Sequence, residues 1–292
     1  MIAVYNTPYK VLDTRKYNTW CKYRTRIDTY GLGCQHGCSY CYARALLGFR
    51  GLWQGVPAVS YITEIERAIS KIPRNEVVRL GAMTDCFQPI EHKYNVTYET
   101  IKLLNQYRIN YVIVTKGVLV CDQKYLEIYD HDLAHFQISI SCTDSNMLKK
   151  IEGGLSCDER IRCIEQLSSI GFDVSLRLNP FVFTHTDIGI INKIKCKKVL
   201  IEFLKVNHWI KKNLDIDYSE YTCKYGGHEN LELERKIKLA NLIDGLEQRS
   251  VGEYVSEHYE YFSQNFNYNK NDCCNLSLNI QPEDSIQEVM AL

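Results

Sequence analysis

The sequence has little proline, no excess of either charge and no long apolar run. Only 6 of its 292 residues are proline, and no Pro/Gly/Ser-rich linker or internal repeat divides it. One large domain is therefore predicted rather than a string of modules. Lys plus Arg and Asp plus Glu both number 35, so the formal net charge is zero and the chain lacks the overall basic charge that duplex-binding proteins usually carry. A neutral net charge still allows a local basic face.

A targeting or membrane segment is also missing from the pattern. The start, MIAVYNTPYKVLDTRKY, lacks a basic region followed by an apolar run, and no stretch reaches the length needed to cross a bilayer. We therefore expect a cytoplasmic protein with reduced thiols and no membrane partner. The 13 cysteines then predict no disulfide framework, and most should be small buried apolar residues while some are metal ligands.

Three of the cysteines are crowded into one glycine-rich loop. In GLGCQHGCSYCYAR they have the spacing Cys34-x3-Cys38-x2-Cys41. A zinc ribbon would need a second pair further along, whereas three thiolates on one loop suit three irons of a cubane iron–sulfur cluster and leave the fourth iron without a protein ligand. A three-cysteine zinc site and chance clustering are the alternatives. Gly33 and Gly37 are expected to have positive φ and to let amides approach the sulfurs.

Apolar strands alternate with amphipathic helices after this loop. Strands are predicted over Glu76–Met83, Tyr111–Gly117, His135–Cys142, Phe172–Pro180 and Lys197–Val206. Helices are predicted over Thr97–Tyr107, Asp122–Tyr129 and Ser156–Gly171, the last with a capping box at its start and glycine at its end. With one strand near Arg26–Tyr30, these give six βα units, which predicts an α/β fold, an open partial (β/α)6 barrel.

The alternation fades after about Asp215. Residues 1–214 are predicted to form the barrel core, with the cluster loop at 33–44, and residues 215–292 to form a helical extension packed on it. Within the extension, Asn230–Gln248 is predicted to be one long helix and SEHYEYFSQNF another, followed by a polar tail.

Polar residues stand at the ends of the predicted strands. In parallel barrels, the strand ends and the loops after them carry the chemistry. The candidate residues are Thr84, Asp85, Lys116, Ser139, Ser141, Arg177, Asn179, Glu202 and Lys205. The cysteine loop follows the first strand at the same rim, so we expect these side chains and the three thiols to face one cavity.

The pattern CxxxCxxC, with the aromatic Tyr40 just before the last cysteine, resembles the radical S-adenosylmethionine (SAM) enzymes. The resemblance implies a 4Fe–4S cluster on Cys34, Cys38 and Cys41, with SAM bound to the open iron through its amino and carboxylate groups. It also implies that an electron from an external donor, such as flavodoxin or ferredoxin, cleaves SAM to a 5′-deoxyadenosyl radical, which abstracts hydrogen from a substrate. The alternative is a non-catalytic iron–sulfur, SAM-binding or redox module, which would not need polar groups converging on the open iron.

A narrower resemblance covers about the first two thirds of the chain. GCQHGCSYCYAR, TDCFQPIE, TKG and ISIS are similar to the spore photoproduct lyase-like branch of that family. This resemblance implies a nucleoside, nucleotide or nucleic-acid base as the substrate. It implies cofactor-binding roles for Tyr40 against the adenine, Thr84 and Asp85 beside SAM, Lys116 on the SAM carboxylate, Ser139 and Ser141 near the SAM moiety, and Arg177 at the edge of the site.

One departure from that branch concerns the hydrogen donor. The resemblance implies a cysteine shortly before the Asp of the second-strand motif, and Ala82 occupies that position here. Spore photoproduct repair is therefore kept as the alternative function. Cys86 and Cys142 are candidate hydrogen donors, and buried core thiols are the alternative interpretation of both.

The remaining motifs carry weaker predictions. Cys223 with Cys273 and Cys274 is a candidate second cluster site, against the interpretation of inert thiols. His36 is expected to be a solvent-facing loop residue rather than a donor to a sulfur. The basic run at Lys193–Lys198 is expected to be a solvated helix end.

Overall fold

The alternating pattern folds into a parallel sheet covered by helices. The structure, a computed structural model, describes residues 4–5, 21–153 and 156–278. Its strands are β1 (Val4–Tyr5), β2 (Arg26–Ile27), β3 (Tyr30–Gly31), β4 (Ala58–Ser60), β5 (Val77–Leu80), β6 (Asn110–Thr115), β7 (Ala134–Ile140), β8 (Asp173–Phe181), β9 (Lys198–Phe203), β10 (Cys223–Tyr225), β11 (His228–Asn230) and β12 (Gln248–Val251). Its α-helices are α1 (Tyr42–Phe49), α2 (Ile62–Ile69), α3 (Glu91–Tyr94), α4 (Val96–Gln106), α5 (Gln123–Leu126), α6 (Ser145–Ile151), α7 (Cys157–Ile170), α8 (Ile188–Ile191), α9 (His208–Asn213), α10 (Leu233–Asn241) and α11 (Ser256–Asn265).

The largest sheet of the described residues has seven strands in the order β12-β9-β8-β7-β6-β5-β2. All neighbouring pairs are parallel. Because β2 and β12 lie at opposite edges and do not pair, the barrel is open, which confirms the predicted partial barrel. Smaller sheets are formed by β1, β4 and β3 and by the hairpin of β10 and β11.

The seventh strand corrects the prediction of one long helix over Asn230–Gln248. Helix α10 ends at Asn241, and the chain turns before entering β12. At the turn, a Cβ on Gly245 would lie 2.0 Å from the carbonyl oxygen of Asn192, so the two backbones are in direct contact. The Asn192 side chain also donates to the Leu242 carbonyl at 2.9 Å, which satisfies a helix-end acceptor and stops the helix.

The two faces of the sheet differ in character because successive side chains of a strand point to opposite sides. Val78, Ile113 and Ile201 belong to the large apolar core beneath the helices. Val77 and Leu200, on the other face, belong to a separate small cluster on the concave side. Farther along the same strands, the concave face carries polar side chains, and these lead to the site described below.

The segment Asp272–Leu278 covers the amino ends of the strands rather than trailing away as a polar tail. Tyr23 donates its hydroxyl hydrogen to Asp272 at 2.5 Å. Lys198 donates to the carbonyl oxygen of Asn275 at 2.6 Å and is buried in β9, whereas Lys193, Lys195 and Lys197 of the predicted basic run are exposed as expected. The predicted second extension helix is confirmed as α11.

Helix α7 shows both the predicted caps and an unexpected covalent link. The Ser156 hydroxyl accepts the Glu159 N–H at 3.3 Å, and Gly171 ends the helix with φ of +98°. Cys121 and Cys163 form a disulfide that joins α7 to the short 3-10 turn after β6. This link corrects the expectation that all thiols are reduced. Within the described ranges, no helix is both long and apolar enough to span a membrane.

Candidate active site

A cavity of about 140 Å³ opens between the cysteine loop and the carboxyl ends of the strands. Nine of the predicted site residues line it: Cys34, Cys38, Cys41, Thr84, Asp85, Lys116, Ser139, Arg177 and Asn179. The other six predicted site residues are not part of this lining: Tyr40, Ser141, Cys86, Cys142, Glu202 and Lys205. The structure thus brings the cysteine loop and the strand ends to one place.

Close backbone contacts shape the cysteine loop. Gly37 has φ of +60°, a conformation that favours glycine. Gly33 lacks the predicted positive φ; its glycine is needed because a Cβ would lie 2.6 Å from the carbonyl carbon of Val56. The loop is tied to the segment after β5, where the Gln35 N–H donates to Gln88 Oε1 at 2.9 Å.

Backbone amides point at two of the three sulfurs. The N–H groups of His36 and Asp85 reach the Cys34 sulfur, and the Arg44 N–H lies 3.4 Å from Cys41 Sγ. Cys41 is also the N-cap of α1, where the helix dipole favours a thiolate. Burial raises the pKa of all three loop thiols, to about 12 for Cys34. Bound iron would reverse that preference, because it stabilises the thiolate form.

The donor set fits a cluster with one open iron better than a zinc ion. On the cavity wall, within the described part of the chain, the thiols are those of Cys34, Cys38 and Cys41. No set of three or more His, Cys, Asp or Glu side chains among the described residues is grouped so that it could hold a single metal ion. Three thiols on one cavity wall suit three irons of a cluster, whereas a structural zinc ion takes four protein ligands.

His36 is buried, which corrects the prediction of a solvent-facing residue. Its side chain is 2% exposed, and Nε2 lies 3.1 Å from Asp85 Oδ2 without the alignment of a hydrogen bond. Burial alone would raise the pKa of Asp85, but the charge of His36 and the hydrogen bonds from Thr115 and the Lys116 N–H lower it to about 2. Asp85 is therefore an ionised anchor that joins the cysteine loop to the end of β6.

Asp28 shapes the same wall and was missed in the sequence. Its Oδ1 accepts the N–H groups of Ala82, Met83 and Thr84 at 3.2, 2.9 and 3.3 Å. One carboxylate oxygen thus holds the turn that follows β5, and it fixes the end of β2 to the end of β5. The available signal was an Asp directly after a short strand and six residues before the first loop cysteine.

Lys116 crosses the cavity from β6 toward β8. Its Nζ donates to the carbonyl oxygen of Asn179 at 3.0 Å and lies 3.9 Å from Glu152 Oε1. It also lies 5.4 Å from the centre of the Tyr40 ring. Burial lowers the pKa of Lys116 to about 8. The ammonium group is therefore still mostly charged near neutral pH, and a bound carboxylate would favour the charged form further.

A buried polar network holds Tyr40 behind the cavity wall. The Tyr40 hydroxyl donates to Glu152 and lies 3.0 Å from Ser141 Oγ, and Ser141 also donates to Glu152. Arg160 pairs with Glu152 and donates to the Ser139 carbonyl at 3.0 Å. Ser141 therefore supports Tyr40 in this arrangement, and the supporting Glu152 and Arg160 were missed because they lie more than a hundred residues beyond the loop.

Arg177 is held at the far wall by acceptors of neighbouring strands. It pairs with Glu202 and donates to Gln137 Oε1 at 2.8 Å. Burial alone would raise the pKa of Glu202, but the charges of Arg177 and Arg79 and the hydrogen bond from Asn179 together lower it. The charge of this arginine is therefore already balanced.

The two candidate hydrogen-donor thiols are separated from the cavity. Cys86 is buried beneath Gly81, and a Cβ on that glycine would lie 3.5 Å from its sulfur. Cys142 is fully buried, and its thiol donates to the Asp144 carbonyl at 3.4 Å. Ala82 itself does line the cavity. The positions of Cys86 and Cys142 match the alternative interpretation of both as core thiols.

The candidate second cluster site is not assembled as the sequence indicated. Cys274 hydrogen-bonds to the thiols of Cys21 and Cys273 near the base of the sheet. Cys223 lies on the separate β10–β11 hairpin. The vicinal pair is therefore close to Cys21 rather than to Cys223.

Comparison with protein families gives a match that covers both the cysteine loop and the first part of the sheet. A family model described as the radical SAM superfamily matches residues 29–191, which is more than half of the chain. Protein Rv2578c of Mycobacterium tuberculosis is 25% identical over 178 residues, 57% of this chain and 52% of its own length. Protein MJ0683 of Methanocaldococcus jannaschii is 24% identical over 176 residues, 56% of this chain and 63% of its own length. This chain thus aligns with between half and two thirds of each relative.

Solved structures show a similar fold. A variant of spore photoproduct lyase superposes with a TM-score of 0.64 at 16% identity, covering 87% of this chain and 82% of the lyase. A second lyase variant, with bound AdoMet and dinucleoside spore photoproduct, has a TM-score of 0.60 at 16% identity and covers 89% of this chain and 78% of the lyase. Streptococcus suis SuiB bound to the precursor peptide SuiA has a TM-score of 0.50 at 13% identity, covering 71% and 46% of the two chains.

Proposed function

This chain belongs to the radical SAM superfamily, and from that premise we propose that it cleaves SAM reductively to modify a nucleoside, nucleotide or nucleic-acid base. It is an enzyme whose family uses a 4Fe–4S cluster and SAM. In that family the bound cluster supplies the electron that splits SAM into methionine and a 5′-deoxyadenosyl radical. The radical then takes a hydrogen atom from the substrate.

One observation carries the proposal: the three loop thiols share a single cavity with Asp85, Lys116 and Ser139. We assign the cluster to Cys34, Cys38 and Cys41. The wall of strand ends opposite the thiols offers an ammonium group and a hydroxyl, which suit the carboxylate and polar groups of SAM. A simple electron carrier would gain nothing from these buried polar groups, so the alternative of a non-catalytic module is disfavoured.

The contacts of each supporting residue support a specific role for it. Lys116 would bind the SAM carboxylate, because its ammonium group is buried on the cavity wall. Ser139 and Thr84 would contribute polar contacts to SAM from β7 and from the turn after β5. Tyr40 would act as a positioning residue, since its hydroxyl is held by Glu152 and its ring faces Lys116. Arg177 would close the far side of the site through its pair with Glu202.

The substrate class rests on the resemblance to the spore photoproduct lyase-like branch. A lyase structure of similar fold contains a dinucleoside spore photoproduct, which makes a base-containing substrate the first class to test. Photoproduct repair itself is disfavoured as the reaction, because among the described residues the thiols on the cavity wall are those of the cluster loop. A cytoplasmic location and an external flavodoxin or ferredoxin as the electron donor remain part of the proposal.

The first test is anaerobic reconstitution followed by incubation with SAM and dithionite. Formation of 5′-deoxyadenosine, measured by chromatography, is the expected result. The matched variants are Cys38→Ala, which should lose the iron–sulfur absorbance and the product, and Cys196→Ala, a cysteine distant from the loop that should keep both. A brown, active Cys38→Ala protein would contradict the assignment of the cluster ligands.

The second test separates SAM binding from cluster binding. Lys116→Ala should keep the cluster absorbance while weakening SAM binding by about tenfold or more, because one charged hydrogen bond is lost. Lys102→Ala is the control, since that side chain is half exposed on α4. Equal SAM affinity of the two cluster-loaded variants in equilibrium dialysis would remove Lys116 from the SAM site.

A further inference from the structure

Two arginines on adjacent strands face the cavity without an acidic partner, and we propose that Arg26 and Arg79 bind an oxyanion group of the substrate. The oxyanion is a phosphate or a carboxylate. This inference rests on the proposed function, because it names the anionic part of the molecule that would react with the SAM-derived radical. Neither arginine is among the SAM-binding residues assigned above.

The sheet register places the two side chains together. Arg26 of β2 pairs with Arg79 of β5 in the parallel ladder, so both project from the same face. That face is the concave one: Val77, two residues before Arg79, belongs to the concave cluster, whereas Val78 and Leu80 pack beneath the helices. Both arginines line the cavity.

The charges of the cavity wall are unbalanced. Among Arg26, Arg79, Asp85, Lys116 and Arg177, four are cationic and one is anionic. The single carboxylate, Asp85, is already in contact with His36 and accepts hydrogen bonds from the end of β6. Glu202 balances Arg177, and Lys116 is assigned to the SAM carboxylate, so Arg26 and Arg79 are the cations of this wall that have no assigned anion.

The acidic groups that influence the two arginines are committed elsewhere. The charge of Arg26 acts on Asp28, but Asp28 Oδ1 already accepts three backbone N–H groups. Cys21 and Cys274 act most strongly on Arg79, but hydrogen bonding and burial raise the pKa of both thiols, which are therefore neutral. Glu202 also interacts with Arg79, but it pairs with Arg177 and accepts from Asn179. Across the described ranges, neither Arg26 nor Arg79 forms an ion pair within 4.0 Å.

Hydrogen-bond donors in this layer also lack acceptors. The Nε atoms of Arg26 and Arg79 are buried and make no hydrogen bond within the described part of the chain. Gln137, fully buried beside Arg177, leaves its Nε2 without an acceptor there as well. Buried donors without partners are costly, so two of them side by side on the cavity wall, on Arg26 and Arg79, indicate a missing acceptor. An oxyanion supplies several acceptor atoms and negative charge to the planar guanidinium groups.

The test measures oxyanion binding to the cluster-loaded protein with saturating SAM. Inorganic phosphate is titrated by calorimetry at constant ionic strength, with acetate as the carboxylate probe and chloride as the reference ion. Wild-type protein should bind phosphate or acetate, and the arm with the stronger binding identifies the oxyanion. Arg79→Gln and Arg26→Gln should each weaken that binding by about tenfold or more, while Arg67→Gln, on the exposed face of α2, should not.

Arg79→Lys separates a binding role from a structural one. It keeps the charge but loses the planar fork, so its affinity should fall between those of wild type and Arg79→Gln. Thermal unfolding without phosphate checks that each variant folds, and removal of an unpaired buried cation is expected to leave the melting temperature equal or higher. A lower melting temperature together with unchanged phosphate affinity would show that Arg79 is structural and would overturn the proposal.

The remaining outcomes distinguish this proposal from the proposed function. If wild-type protein forms 5′-deoxyadenosine but binds neither probe, the oxyanion site is refuted and the SAM chemistry stands. If it binds phosphate through Arg26 and Arg79 but never cleaves SAM, the site stands and the proposed function fails. A second titration without SAM identifies competition: phosphate binding that is present without SAM but lost at saturating SAM would assign the two arginines to SAM itself and would also overturn the proposal.

Discussion

Replacing Asp173 by Asn should weaken the base of the barrel in a strongly pH-dependent way. Asp173 begins β8, far from the cysteine loop in the strand direction, and it accepts hydrogen bonds from three different segments. The donors are His135 Nδ1 at 2.8 Å, the Ser277 N–H at 2.8 Å and Lys198 Nζ. One carboxylate thus fastens β7, β9 and the segment Asp272–Leu278 to one another.

The size of the effect follows from the pKa of this carboxyl group. Burial alone would raise the pKa, but the hydrogen bond from His135 and the charge of Lys198 lower it from 3.8 to about 2. A difference of nearly two pH units between the unfolded and folded states is worth about 2 kcal/mol of folding free energy. Because the folded-state pKa is the lower one, this stabilisation is complete well above pH 4 and is lost as the pH falls from about 4 to 2.

The assay is urea denaturation of the cluster-free protein at a series of pH values between 7 and 2. Near neutral pH, Asp173→Asn should lower the free energy of unfolding by at least about 2 kcal/mol, since Lys198 also loses its partner. The control is Asp215→Asn, an exposed residue, for which a change below about 0.5 kcal/mol is expected. The reasoning is refuted if Asp173→Asn and wild type lose stability in parallel over the whole acid range.

Three further predictions concern the site and its supports. Gly117→Ala should reduce the SAM affinity of the cluster-loaded enzyme, because a Cβ would lie 2.2 Å from the Phe87 carbonyl oxygen and displace the end of β6; unchanged affinity in dialysis would contradict this. Glu152→Gln should lower the unfolding free energy in urea by about 3 kcal/mol, since fully buried Arg160 would lose its ion pair; a loss below 1 kcal/mol would count against it. Thiol titration of unfolded, non-reduced protein should find 11 thiols, not 13, because of the disulfide described above.

The apolar half of the fold could be predicted from the sequence because it depends on local periodicity. The runs that became β5 to β9 present Val, Ile and Leu to the helices, and those residues identify strands without knowledge of any partner. Strand β12 was missed because local periodicity does not identify it. Gln248–Val251 is short, and its place beside β9 depends on the contact of Gly245 with Asn192. That contact joins positions more than fifty residues apart.

The site could be predicted only in part because its polar residues depend on distant partners. The three thiols were evident from their spacing, whereas the pairing of Tyr40 with Glu152 joins segments that nothing local connects. A usable signal did exist in β7 and β8. Parallel strands buried on both faces usually read as continuous apolar runs, yet AHFQISI and DVSLRLNPF alternate between apolar and polar residues. Such alternation indicates a polar concave face and identifies Gln137 as one of the residues on that face.

The separation of the two strand faces has a consequence for how this enzyme can change over evolution. Substitutions of residues under the helices, such as Val78 and Ile113, disturb core packing and lower the free energy of unfolding, so folding stability constrains these positions. Arg26 and Arg79 lie on the opposite face, where exchanging one polar side chain for another leaves that packing untouched. Substrate preference in this scaffold can therefore diversify through a few concave-face positions, while the helix-facing positions of the same strands preserve the barrel.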